Sequence, residues 1–181
     1  MNLAGMNLSR ANLSRANLIG TDLRGSKLVG ARLDRANLSW AKLNSSDLGG
    51  TSIKSAVAVG ANLTGADLTR ANLEKGYWRL ANFSGSVLRG ANLRSSHLTL
   101  TRFIRADLTG ANFAKSDLRA ADLSGAEVTN INTSGAVCER TNWTFVKERP
   151  RPRSLSSQTL EAQGPTTRSL ERCWTTELFV N

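Results

Sequence analysis

The chain has few of the residues from which active sites and membrane anchors are built. Its 181 residues include one histidine, two cysteines and three prolines, and aromatic residues make up 6%. With His97 alone, and with no nucleophile, phosphate-loop, zinc or dinucleotide motif, there is nothing from which to assemble a catalytic or cofactor site. There is also no apolar run long enough for a membrane helix and no start resembling a signal peptide. The sequence therefore predicts a cytoplasmic protein that is not an enzyme, holds no cofactor or metal and does not bind a membrane.

The two cysteines are too few for a disulfide framework, and their spacing does not match a paired-cysteine metal site. They are Cys138 and Cys173. Cys138 falls on a position that is otherwise large and apolar throughout the chain. We therefore expect a buried structural thiol there rather than a reactive one.

A five-residue repeat runs through most of the chain. Of the 29 residues at every fifth position from Leu3 to Trp143, 23 are Leu, Phe or Ile. Two residues before this large position is a small position, occupied by Ala, Ser, Thr or Gly in 26 cases, and the middle position between them is Asn or Asp in 18. A period of five matches neither an amphipathic helix nor a half-buried strand.

A solenoid with short sides and frequent corners explains this period. In an extended segment the large and small positions share one face, so both can point inward, and four such sides closed by corners give about twenty residues per coil. Glycine at the fifth position, as in Gly20 and Gly60, suits corners with positive φ. Asn and Asp at the middle position can bond the nearby backbone of the same corner.

These quintets resemble the pentapeptide-repeat family, whose motif is A(N/D)LXX, as in Ala11-Asn12-Leu13 and Ala121-Asp122-Leu123. The resemblance covers residues 1–145 without an insertion. It implies an all-β fold, a right-handed quadrilateral β-helix, which here would have about seven four-sided coils.

Three unusual residues provide a test of the twenty-residue coil. Ala58 and Trp78 would stack in neighbouring coils, and each is an exception at the large position, one unusually small and the other unusually large. Gly76, two residues before Trp78, gives further room. A close-packed column requires such compensation, so we expect these residues to share one column.

Grouping the quintets by fours sorts the exposed residues into four faces, of which the third is basic. The chain carries a net charge of +10, and this face holds a large part of the excess in the repeat region, opposed only by Asp34 and Glu74. Its cations are Arg15, Arg32, Arg35, Lys54, Lys75, Arg94 and Lys115. Such a stripe is typical of a solvated face, and it could also bind an acidic protein or a nucleic acid.

The fourth face is apolar at outward positions where the repeat requires no apolar residue. Its residues are Ile19, Trp40, Val57, Val59, Tyr77, Leu80 and Leu100, with His97 beside them. Contiguous exposed apolar patches usually indicate a contact. The pattern therefore favours a dimer interface or a docking site for the chain's own tail over a small-molecule pocket.

The ends of the repeat predict the domain organisation. Residues 1–145 form the predicted β-helix, 146–166 a flexible linker, and 167–181 a tail. Leu170, Trp174 and Leu178 in this tail would share one stripe of a short amphipathic helix, which would pack on the apolar face or on a terminal coil; a disordered tail is the alternative. Because the motif begins at Met1, either the first coil pairs with another chain or the sequence is a fragment.

Three functions remain open at this point, and the first is favoured. The chain is predicted to be a non-catalytic binding or scaffold protein that contacts an unknown protein partner, including a second copy of itself through the apolar face or a terminal coil. The family resemblance implies an alternative, a DNA mimic that binds DNA gyrase and protects it from quinolones, although that role requires an acidic surface. The third is binding of nucleic acid or another acidic partner through the basic face.

Overall fold

The computed structural model describes residues 1–147 and Cys173. Every quintet of residues 1–147 has one β-bridge at its middle position and a two-residue turn at its fourth and fifth positions, and this part of the chain contains neither a longer strand nor a helix. Each bridge pairs a residue in parallel with the residue twenty positions later, from Asn2 with Asp22 to Glu127 with Lys147. The twenty-residue period expected from the sequence is therefore present throughout.

Each interior coil is hydrogen-bonded to both of its neighbours. The amide of Leu23 donates to the carbonyl of Lys42 at 2.8 Å, and the amide of Lys42 donates back to the carbonyl of Thr21 at 2.9 Å. The same exchange recurs along all four columns of bridges. Because these amides and carbonyls are paired within the chain, an interior coil offers no free strand edge.

The core is formed by the large and small positions, as the alternation along each side requires. Leu23, Ala61 and Phe83 are fully buried, and every large position from Leu3 to Trp143 is buried or packed against the core. Each buried leucine contributes on the order of 1.5–3 kcal/mol relative to an exposed one. The core is thus a continuous column of apolar side chains along the solenoid axis.

The turns follow the residue pattern closely. Every fifth-position residue from Gly5 to Phe145 has a positive φ, and 12 of these residues are glycine. All 18 Asn and Asp residues at middle positions accept a hydrogen bond from the amide two residues later, as Asn12 does from Ser14 at 3.1 Å. These side chains therefore stabilise the turn that follows them.

The expected exchange of volume around Trp78 is present. Ala58 and Trp78 are fully buried and lie in adjacent coils of one column, where the Ala58 amide donates to the carbonyl of Tyr77 at 2.8 Å. A Cβ atom added to Gly76 would overlap the Trp78 indole. Phe83 packs on the same indole, with 5.3 Å between ring centroids. Gly76 and Ala58 thus provide the space that the indole fills.

The expectation of a free thiol at Cys138 is wrong, because Cys138 and Cys173 form a disulfide with 5.2 Å between their Cα atoms. Cys173 is buried and belongs to the hydrophobic core. The five-residue pattern could not predict this bond, because Cys173 lies beyond the repeat. The disulfide attaches Cys173 to the large position held by Cys138 near the end of the solenoid.

The repeat extends slightly beyond its predicted end. The last bridge includes Lys147, two residues into the predicted linker 146–166. The rest of that linker and the predicted tail helix of 167–181, apart from Cys173, lie outside the described residues. Within the described part of the chain no helix has the length and apolar character needed to cross a bilayer.

Candidate functional site

Four columns of bridges alternate with four columns of turns along the chain. The third and fourth turn columns lie on either side of the fourth bridge column, which consists of Asn17, Asn37, Val57, Tyr77, His97, Asp117 and Val137. We call the third turn column the cationic turn column; its cations are Arg15, Arg35, Lys54, Lys75, Arg94 and Lys115. We call the fourth the apolar turn column; its apolar residues are Ile19, Trp40, Val59, Leu80 and Leu100.

The structure therefore brings together residues that the sequence assigns to two separate faces. All of the predicted basic face except Arg32 lies in the cationic turn column, because Arg32 occupies a bridge in the third bridge column. Of the predicted apolar face, only Val57 and Tyr77 are bridge residues, and the others lie in the apolar turn column. Basic and apolar residues thus flank the same fourth bridge column.

The apolar residues of this surface are exposed to solvent. Trp40 is 60% exposed and Tyr77 48% exposed. Ile19, Val57, Leu80 and Leu100 are also exposed, whereas Val59 is half-buried. Together they form an apolar strip across four successive coils, from Trp40 to Leu100, which is the kind of patch that usually mediates a contact.

Three of these residues also have unfavourable backbone conformations. Trp40, Leu80 and Leu100 have φ values of 61°, 62° and 60°. The left-handed region costs a bulky residue about 1–2 kcal/mol, whereas glycine adopts it freely. The turn between the first and second bridge columns has glycine in most coils, for example Gly65 and Gly85. The apolar turn column therefore contains large exposed side chains where glycine would be more stable.

In three successive coils the fourth bridge column also lacks the Asn or Asp side chain that stabilises the turn at most other middle positions. Val57, Tyr77 and His97 occupy the middle positions of three successive coils in this column. None of their side chains accepts a hydrogen bond from the amide two residues later, as Asn and Asp do. Each lost hydrogen bond corresponds to about 0.5–1.5 kcal/mol. The local structure in these coils is thus less favourable than in the rest of the repeat.

The aromatic rings of the surface are ordered by contacts between coils. The rings of Tyr77 and His97 are stacked, with 4.6 Å between centroids and 10° between planes. The Trp40 indole lies against Gly60 in the next coil, where an added Cβ would overlap it. One face of the Tyr77 ring therefore covers one face of the His97 ring, and the stack runs along the solenoid axis.

The cationic turn column carries one cation in each of six successive coils. None of these six side chains forms an ion pair with a described residue, and Arg15, Arg35, Lys75 and Lys115 have positive φ. The two acids of this column do not neutralise it. Asp34 is 3.7 Å from Arg32 and accepts a hydrogen bond from the Ser52 hydroxyl, and the Glu74 carboxylate has no ion pair within residues 1–147.

Some other charged residues of the solenoid form ion pairs with neighbouring side chains. The Arg119 guanidinium donates to both oxygens of Asp117 and lowers the pKa of that carboxyl to about 2. The same arrangement at Arg24 lowers the pKa of Asp22 to about 2. The cationic turn column differs from these sites because its charges are available to a partner.

Residues 1–147 and Cys173 contain no group of three His, Cys, Asp or Glu side chains that could hold a metal ion. His97 contacts Tyr77 and is not hydrogen-bonded to a carboxylate within that part of the chain. A groove of about 580 Å³ follows the cationic turn column past Arg15, Arg35 and Lys75, and it is open rather than enclosed.

A family model of pentapeptide repeats matches the chain in eight copies, over residues 1–35, 31–70, 66–103 and 96–132. No curated protein is similar enough in sequence to match. A solved pentapeptide repeat protein (Rfr23) from the cyanobacterium Cyanothece 51142 is 29% identical, with a TM-score of 0.50 over 51% of this chain and 63% of that one. The chain thus spans less than two thirds of that relative, and the likeness indicates a right-handed β-helix.

Two further solved structures are similar in fold alone. HetL, a pentapeptide repeat protein involved in heterocyst differentiation regulation in Nostoc sp. strain PCC 7120, is 24% identical with a TM-score of 0.39, over 78% of this chain and 73% of that one. A pentapeptide repeat protein of the Arabidopsis thaliana thylakoid lumen is 24% identical with a TM-score of 0.29, over 72% of this chain and 66% of that one.

Proposed function

Because this chain belongs to the pentapeptide-repeat family, we propose that it is a non-catalytic binding protein that contacts another protein through an outer face. In this proposal the four bridge columns are the four flat sides of a quadrilateral coil. The contacting surface is the fourth bridge column with the two turn columns beside it. We call these three columns the binding surface.

One observation carries this proposal. Trp40, Leu80 and Leu100 are exposed although they occupy left-handed positions that favour glycine. Neither burial nor turn geometry accounts for these residues, since glycine at the same positions would satisfy the backbone. A contact with a partner would bury their side chains and so gives these residues a role.

Two alternatives receive less support from the described surface. A DNA mimic needs a continuous acidic face, whereas the binding surface carries six unpaired cations and two acids in its cationic turn column. Single-stranded nucleic acid is bound by aromatic rings whose faces are open for stacking. Tyr77 and His97 instead each cover one ring face of the other, and the Trp40 indole lies against Gly60.

Site-specific crosslinking tests the proposal. A photoreactive residue at position 80 should crosslink to protein in cells that produce this chain. The matched control is position 70, which has a similar φ of 57° but lies in the second turn column. Crosslinks from position 80 and not from position 70 would support the binding surface. Equal crosslinking from both positions, or crosslinks to nucleic acid alone, would contradict it.

The gyrase alternative is tested separately. A supercoiling assay with purified DNA gyrase should show no inhibition at micromolar concentrations of the chain, because the surface lacks the acidic charge of a DNA mimic. Inhibition in that range would replace the present proposal.

A further inference from the structure

We propose that the binding surface takes an acidic amphipathic α-helix, which lies along the solenoid axis with its apolar stripe on Tyr77, Leu80 and Leu100 and its carboxylates over the cationic turn column. This inference rests on the proposed function and specifies the chemistry of the partner.

The backbone of the surface excludes a partner strand as the main contact. In the coils that carry Val57, Tyr77 and His97, the bridge amides and carbonyls are already paired with the coils above and below. Addition of a strand needs free main-chain donors and acceptors at a sheet edge. The partner must therefore bind through side chains.

The spacing of the coils fits a helix better than it fits an extended chain. The ring centroids of Tyr77 and His97, in adjacent coils, are 4.6 Å apart. This distance is close to the spacing of about 4.8 Å between neighbouring strands. Successive turns of an α-helix are about 5.4 Å apart, whereas residues on one side of an extended strand are about 6.8 Å apart. A helix parallel to the axis can therefore place one side chain near each coil.

The order of the columns defines two stripes on that helix. Trp40, Val57 and Leu80 provide apolar contacts in three successive coils. On the opposite side of the fourth bridge column one cation lies in each of four successive coils, namely Arg35, Lys54, Lys75 and Arg94. A helix with leucines at i, i+3, i+7 and i+10 presents a matching apolar stripe. Acidic residues along the adjacent stripe would then meet cations that have no ion pair among the described residues.

The charge of the surface makes the acidic partner preferable to a second copy of this chain. In the coils from Arg35 to Arg94 the cationic turn column holds four cations against Asp34 and Glu74. Two such surfaces placed face to face with antiparallel axes would bring like charges together, which opposes association. With parallel axes the cations would face the apolar turn column, which offers them no carboxylates in these coils. An acidic helix instead provides the complementary charge.

Binding of designed peptides to the full-length protein tests this inference. The probe is a labelled peptide of about 14 residues, with leucines spaced as above and glutamates on one flank, long enough to follow four coils. Its counterpart has lysine in place of each glutamate, and a single-stranded oligonucleotide is the third probe. Fluorescence anisotropy should show micromolar binding of the acidic peptide and at least tenfold weaker binding of the other two probes.

Matched variants locate the binding. Lys75→Glu and Leu80→Gly should each weaken binding of the acidic peptide about tenfold, through lost charge attraction and lost apolar contact. Arg70→Glu makes the same charge change at a matched φ of 57°, compared with 58° for Lys75, and should change affinity less than twofold. Melting curves check that each variant remains folded.

The remaining outcomes would overturn the inference. Equal binding of the acidic and basic peptides, or equal weakening by Arg70→Glu, would show that the cationic turn column is not the determinant. Preferential binding of the oligonucleotide would assign the surface to nucleic acid. A dimer in light scattering that Leu80→Gly dissociates would assign it to a second copy. Failure of the peptides together with protein crosslinks from position 80 would leave the proposed function standing and reject only the acidic helix.

Discussion

The fourth bridge column and the first bridge column share one backbone geometry and differ in their side chains. In the first, Asn62 and Asn82 each accept the amide two residues later, and Gly65 and Gly85 occupy the left-handed turn positions that follow. In the fourth, Val57 and Tyr77 replace the asparagines, and Leu80 occupies the left-handed position. The asparagines and glycines of the first column stabilise its turns, whereas the residues of the fourth column do not. The backbone therefore favours the residues of the first column but folds with either set.

The difference between these columns separates architecture from binding. Residues that agree with the repeat need no further explanation, because they satisfy the turns and the core. Residues that depart from it in successive coils, as Val57, Tyr77 and His97 do, reduce local stability without improving the core. Departures of this kind are expected at functional sites. If this is so, substitutions of inward residues of the fourth bridge column should lower stability, and substitutions of its outward residues should not.

The largest expected effect comes from the inward side of the fourth column. Trp78→Ala should lower the free energy of unfolding by about 3–5 kcal/mol, because it removes a fully buried indole packed on Phe83. Trp40→Ala removes an exposed indole and should cost less than about 1 kcal/mol. Chemical denaturation of both variants measures the contrast. A similar loss for the two would mean that Trp40 is part of the core.

The disulfide is expected to have the next largest effect. Cys173→Ser should lower the free energy of unfolding by about 2–4 kcal/mol. The crosslink joins two residues 35 positions apart in the sequence and so restricts the unfolded chain. Thermal melts with and without reductant measure this, and the variant itself should be insensitive to reductant. A wild-type melt that reductant does not change would contradict the role assigned to this bond.

The cytoplasmic location expected from the sequence remains a prediction. Disulfides persist mainly in oxidising compartments. The bond between Cys138 and Cys173 therefore favours such a compartment over the cytoplasm. Thiol labelling of the protein taken directly from cells would decide between them, since only reduced cysteines react.

A matched pair of glycines compares the two turn columns directly. Gly60 and Gly85 both have a φ of 65°, so alanine should cost each about 1 kcal/mol of backbone strain. An added Cβ has open space at Gly85 but overlaps the Trp40 indole at Gly60. Gly60→Ala should therefore be the more destabilising variant, by up to about 1 kcal/mol. Equal losses in urea titrations would show that Trp40 moves away without cost.

Exchange of leucine and glycine between the columns should change stability in opposite directions. Leu80→Gly should leave stability unchanged or raise it by up to about 1 kcal/mol, because glycine relieves the left-handed strain. Gly85→Leu should lower stability by about 1–2 kcal/mol for the opposite reason. A marked loss of stability in Leu80→Gly would assign Leu80 to the fold and remove the main support for the binding surface.

The smallest effect concerns two ion pairs, one in each column. Asp22 of the first column and Asp117 of the fourth each have a pKa of about 2, caused chiefly by the neighbouring arginine. Because these pKa values are lower than in the unfolded chain, the stabilisation is present above about pH 4 and is lost as the pH falls through 2. Arg24→Ala and Arg119→Ala should each raise the pKa of the paired carboxyl towards 3.8 in an NMR titration. An unchanged pKa in either variant would mean that the arginine is not the cause.

The residue pattern was sufficient to predict much of the fold. The five-residue period predicted the inward columns, the position of the turns and the twenty-residue coil, and the structure confirms the shared column of Ala58 and Trp78. Such features are predictable because each quintet repeats the same local relation between a large residue, a small residue and a turn. The pattern also pointed to the basic and apolar residues of the candidate surface, whose role in binding stays a prediction. It did not show that these two sets flank one bridge column.

By itself, then, the sequence determined what is local and periodic in this protein: which positions face inward, which face outward and which adopt positive φ. The tertiary structure decided what depends on residues far apart in the chain. It placed the basic and apolar residues on either side of one bridge column, laid Trp40 against Gly60 and joined Cys138 to Cys173. The first two need the coil to close, so that residues twenty apart become neighbours. The disulfide requires a partner that lies outside the repeat, and no periodicity can provide it.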